Sequence, residues 1–216
     1  MPGIRDRSPT AVGAAFSFLQ PKECTMASIK GTQTEKNLLA AFAGESQARN
    51  RYTYAAKVAA KAGYHQIAEI FIETADNERQ HAKRFFRFLE GGMVEISAAY
   101  PAGIIGDTAE NLLAAAQGEH EEWAELYPAF AETAKQEGFT EVAQAFNMIA
   151  RAEKEHEARF NKLLERVKSE TVLKREEKTA WKCRKCGYVH HGNEPIAKCP
   201  ACLHGKEYFE EKAYNY

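Results

Sequence analysis

Two Glu-x-x-His pairs occur in this chain, Glu78 with His81 and Glu153 with His156, and the second follows the first by 75 residues. Carboxylate and imidazole groups are common ligands of transition-metal ions. Residues three apart on a helix lie on the same face, so each pair would present both groups in one direction. The spacing therefore predicts two metal-binding helices.

A lone glutamate that follows a glycine precedes each pair: Glu45 comes before the first and Glu119 before the second. Four helices carrying these side chains would direct four carboxylates and two imidazoles at one point, which is a ligand set for two metal ions. A single Glu-x-x-His pair on a polar helix is common and usually lies solvated at the surface. The duplication favours a metal site instead.

The sequence around the two pairs is repeated as well. Glycine, aromatic and alanine residues recur at the same offset of 75: Gly63 and Gly138, Tyr52 and Tyr127, Phe71 and Phe146, Ala75 and Ala150, Phe85 and Phe160. The lone glutamates are 74 residues apart, which implies a slip of one residue between them and the tyrosines. We predict an internal repeat of a helical hairpin over residues 34–168.

The first pair lies on the apolar face of its predicted helix, because Phe71, Glu78, His81 and Phe85 recur at helical spacing. The second pair has the same arrangement. Carboxylates that face a protein core are unfavourable unless they are paired or bind a metal. This position argues against two solvated surface pairs.

The pattern predicts four helices, with a short turn inside each repeat and a long connection between the repeats. The helices are expected at residues 34–61, 64–90, 108–138 and 140–168, and the connection at residues 93–107. Asp107 or Thr108 is the predicted N-cap of the third helix. Pro128 is expected to kink or break that helix, because proline lacks the N–H donor.

Glu122 lies one helical turn beyond Glu119, so the third helix offers a second carboxylate on the same side. Two interpretations remain open. Glu122 is either a solvated residue of the acidic run at 119–122 or a seventh ligand that adds negative charge and favours a ferric ion. His120 is rotated by about 100° from Glu119 on a helix and is expected at the surface.

Two Cys-x-x-Cys pairs lie near the C-terminus, Cys183 with Cys186 and Cys199 with Cys202. Two such pairs close together are typical of a tetrahedral site with four thiolates. About 38 residues bury too little apolar surface to fold alone, so this segment is expected to depend on its metal. Disulfides are less favoured, because such pairs in a reduced chain are typical of metal binding.

The metal at the four cysteines stays open from the spacing alone, because zinc and iron both accept four thiolates. Cys186-Gly187-Tyr188 and Cys199-Pro200-Ala201-Cys202 resemble the two cysteine turns of rubredoxin, and this resemblance favours iron. Gly187 permits a left-handed turn that points N–H groups at sulfur. Leu203 stands where glycine is expected in the second pair. Basic residues Lys182, Arg184 and Lys185 suit a nucleic-acid-binding zinc ribbon. The net charge of −1 and the lack of an extended basic stripe argue against that partner.

The chain is predicted to have four parts: residues 1–29 as a start-site extension or disordered tail, 30–168 as the bundle, 169–180 as a linker and 181–216 as the four-cysteine domain. Met26 offers a second start, and Cys24 receives no role. The apolar run at residues 11–19 faintly resembles a signal peptide but has a poor cleavage site. No stretch approaches the length of a membrane span, so a cytoplasmic protein is expected.

Four segments of the chain match motifs of one known family: residues 43–52, Ala-Gly-Glu-Ser-Gln-Ala-Arg-Asn-Arg-Tyr, on the first helix, and residues 101–105, Tyr127-Pro128 and Cys186-Gly187-Tyr188. On these segments the chain resembles the rubrerythrin family. The resemblance implies a mainly α fold, in which a ferritin-like four-helix bundle holding two irons precedes a small rubredoxin-like four-cysteine domain.

The resemblance further implies a non-haem di-iron peroxidase that reduces hydrogen peroxide to water and protects against oxidative stress. Carried over by position, the ligands of the two irons are Glu45, Glu78, His81, Glu119, Glu122, Glu153 and His156. Glu122 would exchange with His81 when one iron changes redox state. Tyr52 and Tyr127 would donate hydrogen bonds beside the ligands.

A third, rubredoxin-type iron would deliver the electrons, and its implied ligands are Cys183, Cys186, Cys199 and Cys202. The implied partners are hydrogen peroxide, an external electron donor such as rubredoxin or an NAD(P)H-linked reductase, and a second copy of the chain in a homodimer. Neither nucleic acid nor a membrane is expected.

Two other functions stay open. A ferroxidase or iron-storage protein of the ferritin type would use the same carboxylates but has no need of Glu122 or of the four-cysteine domain. A small electron-transfer or metal-ribbon protein would use the bundle only as a scaffold, which the carboxylates on the core stripe argue against. Iron content separates the scaffold from the peroxidase, and sedimentation separates a hollow shell from a dimer.

Overall fold

The structure is a computed structural model and describes residues 27–215. The predictions for residues 1–26, including Cys24, lie outside the described residues. Ile29, which was assigned to the N-terminal extension, is buried against the bundle, and its N–H donates to Glu90 Oε1 at 3.0 Å. Contacts with the bundle thus begin slightly before the predicted boundary at residue 30.

Two helical hairpins form a four-helix bundle. Its elements are α1 (Gln33–Lys61), α2 (His65–Phe86), α3 (Thr108–Glu121), a π-helical segment (Glu122–Leu126), α4 (Tyr127–Gln136) and α5 (Thr140–Lys168). α1 packs mainly on α2, while α3 and α4 pack on α5. The helical bundle predicted from the repeat is confirmed.

Local sequence signals set several helix ends. The Thr32 side chain caps α1 by accepting the N–H of Glu35, and Asp107 caps α3 in a reciprocal box with Glu110. Gly63 and Gly138 have φ angles of +83° and +88° and stand at the turn of each hairpin. Glycine adopts this left-handed conformation without the steric penalty of a Cβ atom, which is why the two helices end there.

The second helix is shorter than predicted, because α2 ends at Phe86 and the predicted end at Glu90 was wrong. The Glu90 carboxylate instead accepts hydrogen bonds from the Ser28 hydroxyl at 2.7 Å and the Ile29 N–H at 3.0 Å. These bonds attach the chain before α1 to the turn after α2. A contact between residues so distant in sequence leaves no trace in the helical periodicity.

The predicted third helix is divided by the π segment. The N–H of Tyr127 donates to the carbonyl of Glu122, five residues earlier, which makes one widened turn. Pro128 follows in the first turn of α4, a position at which helices tolerate proline's missing N–H donor. The interruption expected at Pro128 is present, and it takes the form of this wide turn.

Aromatic pairs lie on both sides of the ligand residues. The ring centroids of Phe71 and Phe160 are 5.2 Å apart, those of Phe85 and Phe146 are 4.8 Å apart, and all four side chains are fully buried. Each pair joins one repeat to the other. Because Glu78 lies midway between Phe71 and Phe85 on α2, the ligand residues are enclosed between two aromatic layers.

The C-terminal lobe is a three-stranded antiparallel sheet. Its strands are β1 (Thr179–Cys183), β2 (Val189–Gly192) and β3 (Phe209–Glu211), with β1 in the centre and the 3₁₀ turn Lys206–Tyr208 before β3. Thr179 and Ala180, placed in the predicted linker, are the first residues of β1. Trp181 and Phe209 are fully buried and pack with two of the cysteines in a small core.

The segment between α5 and β1 is packed against both domains. Val172 is buried in the bundle core, and Leu173 contacts the cores of the bundle and the lobe. The ring of Tyr208 stacks on His65 at the start of α2, with centroids 3.9 Å apart. The lobe therefore lies at the end of the bundle where α1 turns into α2.

Within residues 27–215, none of the helices combines the length and the apolar character needed to cross a membrane.

Candidate metal centres

The bundle brings together the six ligand residues predicted from the two repeats. They form two overlapping groups whose ligand atoms lie within 4.8 Å of one another: Glu45, Glu78, His81 and Glu153 in one, and Glu78, Glu119, Glu153 and His156 in the other. Glu78 and Glu153 belong to both groups. This arrangement has the form of two metal sites that share two bridging carboxylates.

The donor atoms at this site are buried and lack hydrogen-bond partners among the described residues. The unpartnered atoms are Glu45 Oε2, Glu78 Oε1, Glu119 Oε2, both carboxylate oxygens of Glu153, and His156 Nδ1. Buried polar groups are normally hydrogen-bonded, so a cluster of unpartnered oxygen and nitrogen atoms needs a physical explanation. Two cations at this point would satisfy all of them, and the residues present fit a pair of metal ions.

Contact geometry supports the same interpretation. His156 Nδ1 lies 2.7 Å from Glu153 Oε2, and His81 Nδ1 lies 2.7 Å from Glu153 Oε1. Both oxygens of Glu153 are nevertheless without a properly directed hydrogen bond within the described chain. The imidazole nitrogens and the carboxylate oxygens are close together without hydrogen-bond geometry between them. Two ligands of a common metal ion have this arrangement.

Two buried tyrosines bind the lone glutamates across the repeats. The Tyr52 hydroxyl donates to Glu119 Oε1 at 2.5 Å, and the Tyr127 hydroxyl donates to Glu45 Oε1 at 2.6 Å. Each bond occupies one carboxylate oxygen and leaves the other unpartnered. Burial, and then the nearby carboxylates, raise the pKa of both tyrosines well above the usual value, so both hydroxyls remain protonated donors.

Protons compete with metal ions for this cluster. Burial, followed by the charge of Glu153, raises the pKa of Glu45 well above its usual value, and burial raises the pKa of Glu119 to about 8. Burial alone would lower the pKa of His156, but the close carboxylates of Glu119, Glu153 and Glu78 raise it to about 12. The pKa of His81 is raised in the same way. Metal ions replace these protons, so their binding weakens as the pH falls.

Glu122 lies beside the two groups, and neither group includes it among the described residues. Its carboxylate is half-buried, and Oε1 lies 3.8 Å from the point where a Cβ on Gly44 would stand. Burial, and then the charge of Glu45, raise the pKa of Glu122 well above its usual value. The residue is therefore close enough to the cluster to interact with it, and its role as a ligand stays a prediction.

His120 is exposed, as predicted. Its Nδ1 lies 3.2 Å from both oxygens of Glu157, and its ring packs edge-on against Trp123. It points away from the ligand cluster.

Sequence reasoning missed Tyr100, which belongs to the long connection between α2 and α3. Its hydroxyl donates to the carbonyl of Ala40 at 2.8 Å, and Cε1 lies 3.7 Å from the position of a Cβ on Gly44. Tyr100 thus covers α1 directly beside the Glu122 carboxylate. Its segment has no helical or strand periodicity, so the sequence gives no signal for this position.

The four cysteines of the lobe form a second cluster. Cys183 and Cys202 have sulfur atoms 3.7 Å apart, and those of Cys186 and Cys199 are 3.6 Å apart. Four sulfurs placed tetrahedrally at about 2.3 Å from a metal are separated by about 3.8 Å. The observed spacing matches that geometry.

The two Cys-x-x-Cys turns have the same backbone form. Gly187 donates its N–H to the carbonyl of Cys183, and Leu203 donates to that of Cys199, with φ angles of +81° and +63°. Burial raises the pKa of the Cys199 thiol, but N–H groups of Cys202 and Ala201 outweigh it and lower the pKa to about 7. Backbone donors therefore favour a thiolate, the form that binds metal.

Family models match most of the chain. The model described as Rubrerythrin matches residues 36–164 and 110–185, and the model described as Rubrerythrin, rubredoxin-like domain matches residues 181–210. The first covers the helices that carry the carboxylate cluster, and the second covers the four cysteines.

Individual relatives agree over nearly their whole length. The rubrerythrin of Porphyromonas gingivalis is 61% identical over 189 residues, which cover 88% of this chain and 94% of that protein. The rubrerythrin of Nitratidesulfovibrio vulgaris is 56% identical over 191 residues, covering 88% of this chain and 100% of the relative. A structure of nigerythrin in its fully reduced, all-ferrous state is 28% identical, with a TM-score of 0.54 and coverage of 92% and 100%.

These matches confirm the expected ferritin-like bundle followed by a rubredoxin-like lobe, and they extend over both candidate metal centres. The chain belongs to the rubrerythrin family.

Proposed function

We propose that this protein is a di-iron peroxidase that reduces hydrogen peroxide to water with electrons delivered through a four-cysteine iron. The proposal rests on the presence of two different sites in one chain. One is a buried carboxylate site with many unpartnered polar atoms that suits two ions, and the other is a separate four-thiolate site. The overall reaction takes hydrogen peroxide, two electrons and two protons to two waters. Iron at the carboxylate site would supply the electron pair that breaks the O–O bond.

The side chains divide the work of holding the two irons. Glu78 and Glu153, which belong to both groups, would be shared by the two irons, and each end of the site would add one lone glutamate and one histidine. Tyr52 and Tyr127 fix the free oxygens of the lone glutamates by their hydrogen bonds across the bundle. The aromatic layers on both sides keep these residues in a packed apolar shell.

Glu122 is the proposed ligand of the oxidised state. Neutral imidazole suits ferrous iron, whereas a charged carboxylate suits ferric iron. Glu122 Oε1 lies 3.8 Å from the Cβ position of Gly44, the residue before Glu45, and Glu45 shares its group with His81. This proximity supports a role for Glu122 at the His81 end of the site, where it would replace that imidazole when the iron is oxidised.

Electrons would enter from the lobe of a second chain. Glu78 follows His65 by thirteen residues on α2, roughly 20 Å along the helix axis, and the lobe lies at the His65 end. Transfer over short distances therefore favours a homodimer in which the lobe of one chain lies near the di-iron site of its partner. An external donor such as rubredoxin or an NAD(P)H-linked reductase would reduce the lobe, in the cytoplasm, where thiolates persist.

Iron content and single-turnover kinetics test the proposed reaction. The iron-loaded, reduced protein is mixed with hydrogen peroxide, and the oxidation of both centres is followed optically. Three irons per chain and fast oxidation of the carboxylate site by peroxide are expected. Cys183→Ser should abolish the ferric-thiolate absorption and leave two irons. Loss of all iron in that variant would contradict independent centres, and no reaction with peroxide would contradict a peroxidase.

Glu122→Ala distinguishes the peroxidase from a ferroxidase or iron-storage protein. The variant should bind two irons in the bundle but react about tenfold or more slowly with peroxide, because the oxidised state lacks a charged ligand. Glu125→Ala is the matched control, since Glu125 is exposed in the same π segment. An unchanged rate at full iron loading would remove Glu122 from the mechanism and favour the storage function, which sedimentation of a hollow shell would support.

Mixing two inactive chains tests the route of the electrons. Cys183→Ser lacks the electron-entry site, and Glu153→Ala lacks a bridging carboxylate. Heterodimers of the two variants should regain peroxidase turnover if the lobe of one chain serves the bundle of the other. Failure to regain activity would show that electrons stay within one chain.

A further inference from the structure

The connection between α2 and α3 covers a cavity of about 1150 Å³ that reaches the carboxylate site. Tyr100 and Pro101 of the connection form part of its wall, together with Gly44 of α1. Glu122 and Tyr127 line its other side, and Tyr127 bonds to Glu45 in the ligand cluster. The cavity thus contacts the candidate site through Glu122, the half-buried carboxylate beside it.

A second groove lies on the outer face of α1 and α2, and it does not offer the same access. It is lined by Phe42, Phe86, Ala82 and polar residues, and neither Glu122 nor Tyr127, which connect the first cavity to the cluster, is among them. Glu78 and Glu153, the shared carboxylates, are almost fully buried. The cavity beneath the connection is therefore the better route for a small molecule.

Tyr100 narrows this cavity where it meets Glu122. Its ring lies over the helix at Gly44, and the point where a Gly44 side chain would begin is 3.7 Å from Tyr100 Cε1 and 3.8 Å from Glu122 Oε1. The ring is held in place by the 2.8 Å hydrogen bond from its hydroxyl to the carbonyl of Ala40. Gly44 leaves a gap between ring and carboxylate that any larger residue would fill.

We propose that this cavity is the path of the peroxide to the metal site and that Tyr100 sets the size of the hydroperoxide that passes. Compact hydrogen peroxide fits the gap above Gly44, whereas an alkyl hydroperoxide meets the tyrosine ring. The inference rests on the proposed peroxidase function and adds the residue that determines its substrate range. Tyr100 acts by excluding bulk and is not required for the reaction itself.

Single-turnover oxidation of the reduced protein by hydrogen peroxide and by tert-butyl hydroperoxide tests this role. Tyr100→Ala should raise the ratio of the rate constants, bulky over compact, by about tenfold, since a pocket contact of this size discriminates by that order. Tyr100→Phe keeps the ring but loses its hydrogen bond to Ala40, so the ratio should rise less than in Tyr100→Ala. Tyr54→Ala, which removes an exposed tyrosine outside the cavity lining, is the control.

Gly44→Ala tests the same gap in the opposite direction. The added methyl group would make ordinary van der Waals contacts with Tyr100 and Glu122, so the helix should fold normally. Gly44→Ala should slow oxidation by hydrogen peroxide, and it should slow oxidation by tert-butyl hydroperoxide more. Normal rates in this variant would contradict the route, even if Tyr100→Ala failed to fold.

Ligand binding to the oxidised protein gives a readout that does not depend on turnover. Optical titration should show that Tyr100→Ala leaves the affinity for azide unchanged and tightens the binding of benzoate by about tenfold. A native ratio of rate constants and native benzoate affinity in a folded, iron-loaded Tyr100→Ala protein would overturn the gate. Failure of the native protein to react with any hydroperoxide would instead overturn the peroxidase proposal.

Discussion

The two repeats of the bundle supply the same candidate ligands but differ by one residue. The first places Tyr52 seven positions after Glu45, and the second places Tyr127 eight positions after Glu119. In a regular α-helix this extra residue would rotate Tyr127 by about 100° away from the direction that Tyr52 takes. Both tyrosines nevertheless bond to the lone glutamate of the other repeat, at 2.5 and 2.6 Å.

The π segment reconciles the two observations. A π turn absorbs one extra residue inside a helix, and Glu122–Leu126 lies between Glu119 and Tyr127. The insertion therefore keeps the ligand and the tyrosine on the same side of the helix. It also adds a carboxylate, Glu122, where the first repeat has the buried Ala48 at the corresponding distance from its lone glutamate. Duplication produced a nearly symmetric site, and one added residue made it asymmetric.

Deleting Glu122 should have the largest effect, because it removes the one-residue difference between the two repeats. The second repeat would regain the length of the first, and Pro128 would then fall within a continuous α-helix. Proline in a helix interior destabilises by about 3 kcal/mol, because it lacks a donor and its ring meets the preceding turn. We expect that loss in the free energy of unfolding, measured by denaturant titration.

The double variant controls for other effects of the deletion. Adding Pro128→Ala to the deletion of Glu122 should restore most of the lost stability, whereas Pro128→Ala alone should change it little. A deletion that costs the same with and without Pro128 would contradict this account of the π segment.

After metal removal, the stability of the protein should depend on the protons bound by the buried carboxyl groups of the two repeats. In the metal-free protein, burial raises the pKa of Glu119 to about 8 from an ordinary value of 4.5. Between these values the folded protein keeps a proton that the unfolded chain has lost, so stability falls as the pH rises. One such carboxyl gives a slope of about 1.4 kcal/mol per pH unit, or about 2 kcal/mol between about pH 6 and pH 7.5.

The histidines of the cluster act in the same direction, because the pKa values of His81 and His156 are raised. Denaturant unfolding at several pH values measures the slope. Glu119→Gln and Glu45→Gln should reduce it by similar amounts if the repeats are equivalent. The metal-loaded protein should show the opposite trend, since metal binding releases the protons. A metal-free protein that gains stability with rising pH would contradict this charge assignment.

The two tyrosines offer a direct test of the symmetry. Tyr52→Phe and Tyr127→Phe each remove one buried hydrogen bond to a carboxylate, and each should destabilise the protein by about 1–2 kcal/mol. Because the two bonds join different glutamates, the losses should be nearly equal and additive. Thermal unfolding of the single and double variants measures both. A much larger effect at one tyrosine would show that the π segment distorts its half of the site.

Sequence reasoning selected residues that the fold brings together, because metal chemistry imposes a local spacing on candidate ligands. Glu78 with His81 and Glu153 with His156 form i, i+3 pairs on apolar faces, and the repeat supplied the rest. The slip of one residue was also visible between Glu119 and Tyr127. The sequence did not reveal that the slip takes the form of a π turn, because a kink at Pro128 and a π turn before it would produce the same sequence pattern.

Long-range contacts account for what the sequence concealed. α2 ends before Glu90 because that carboxylate binds Ser28 and Ile29. Tyr100 reaches the site through a connection without periodicity. Val172 enters the bundle core from a segment that resembles a polar linker. Each contact joins residues far apart in the chain, and helical periodicity reports only neighbours one or two turns away.

The lobe contains a smaller repeat, the two Cys-x-x-Cys turns. Substitutions at the equivalent positions of these turns should have the smallest effect on stability. Gly187 and Leu203 occupy equivalent left-handed positions after the two Cys-x-x-Cys pairs, with φ angles of +81° and +63°. Leucine is strained in this conformation, and its side chain is 66% exposed, so replacing it loses little burial.

Leu203→Gly should therefore stabilise the lobe by about 0.5 kcal/mol, the relief of strain less the added freedom of the unfolded chain. Gly187→Ala should destabilise it by about 1 kcal/mol, because alanine must adopt a positive φ there. Thermal loss of the ferric-thiolate absorption measures both variants, with the bundle as an internal reference. Opposite signs are expected from the two equivalent positions, because glycine already occupies one of them. Destabilisation by Leu203→Gly would show that the leucine side chain contributes a contact that outweighs its backbone strain.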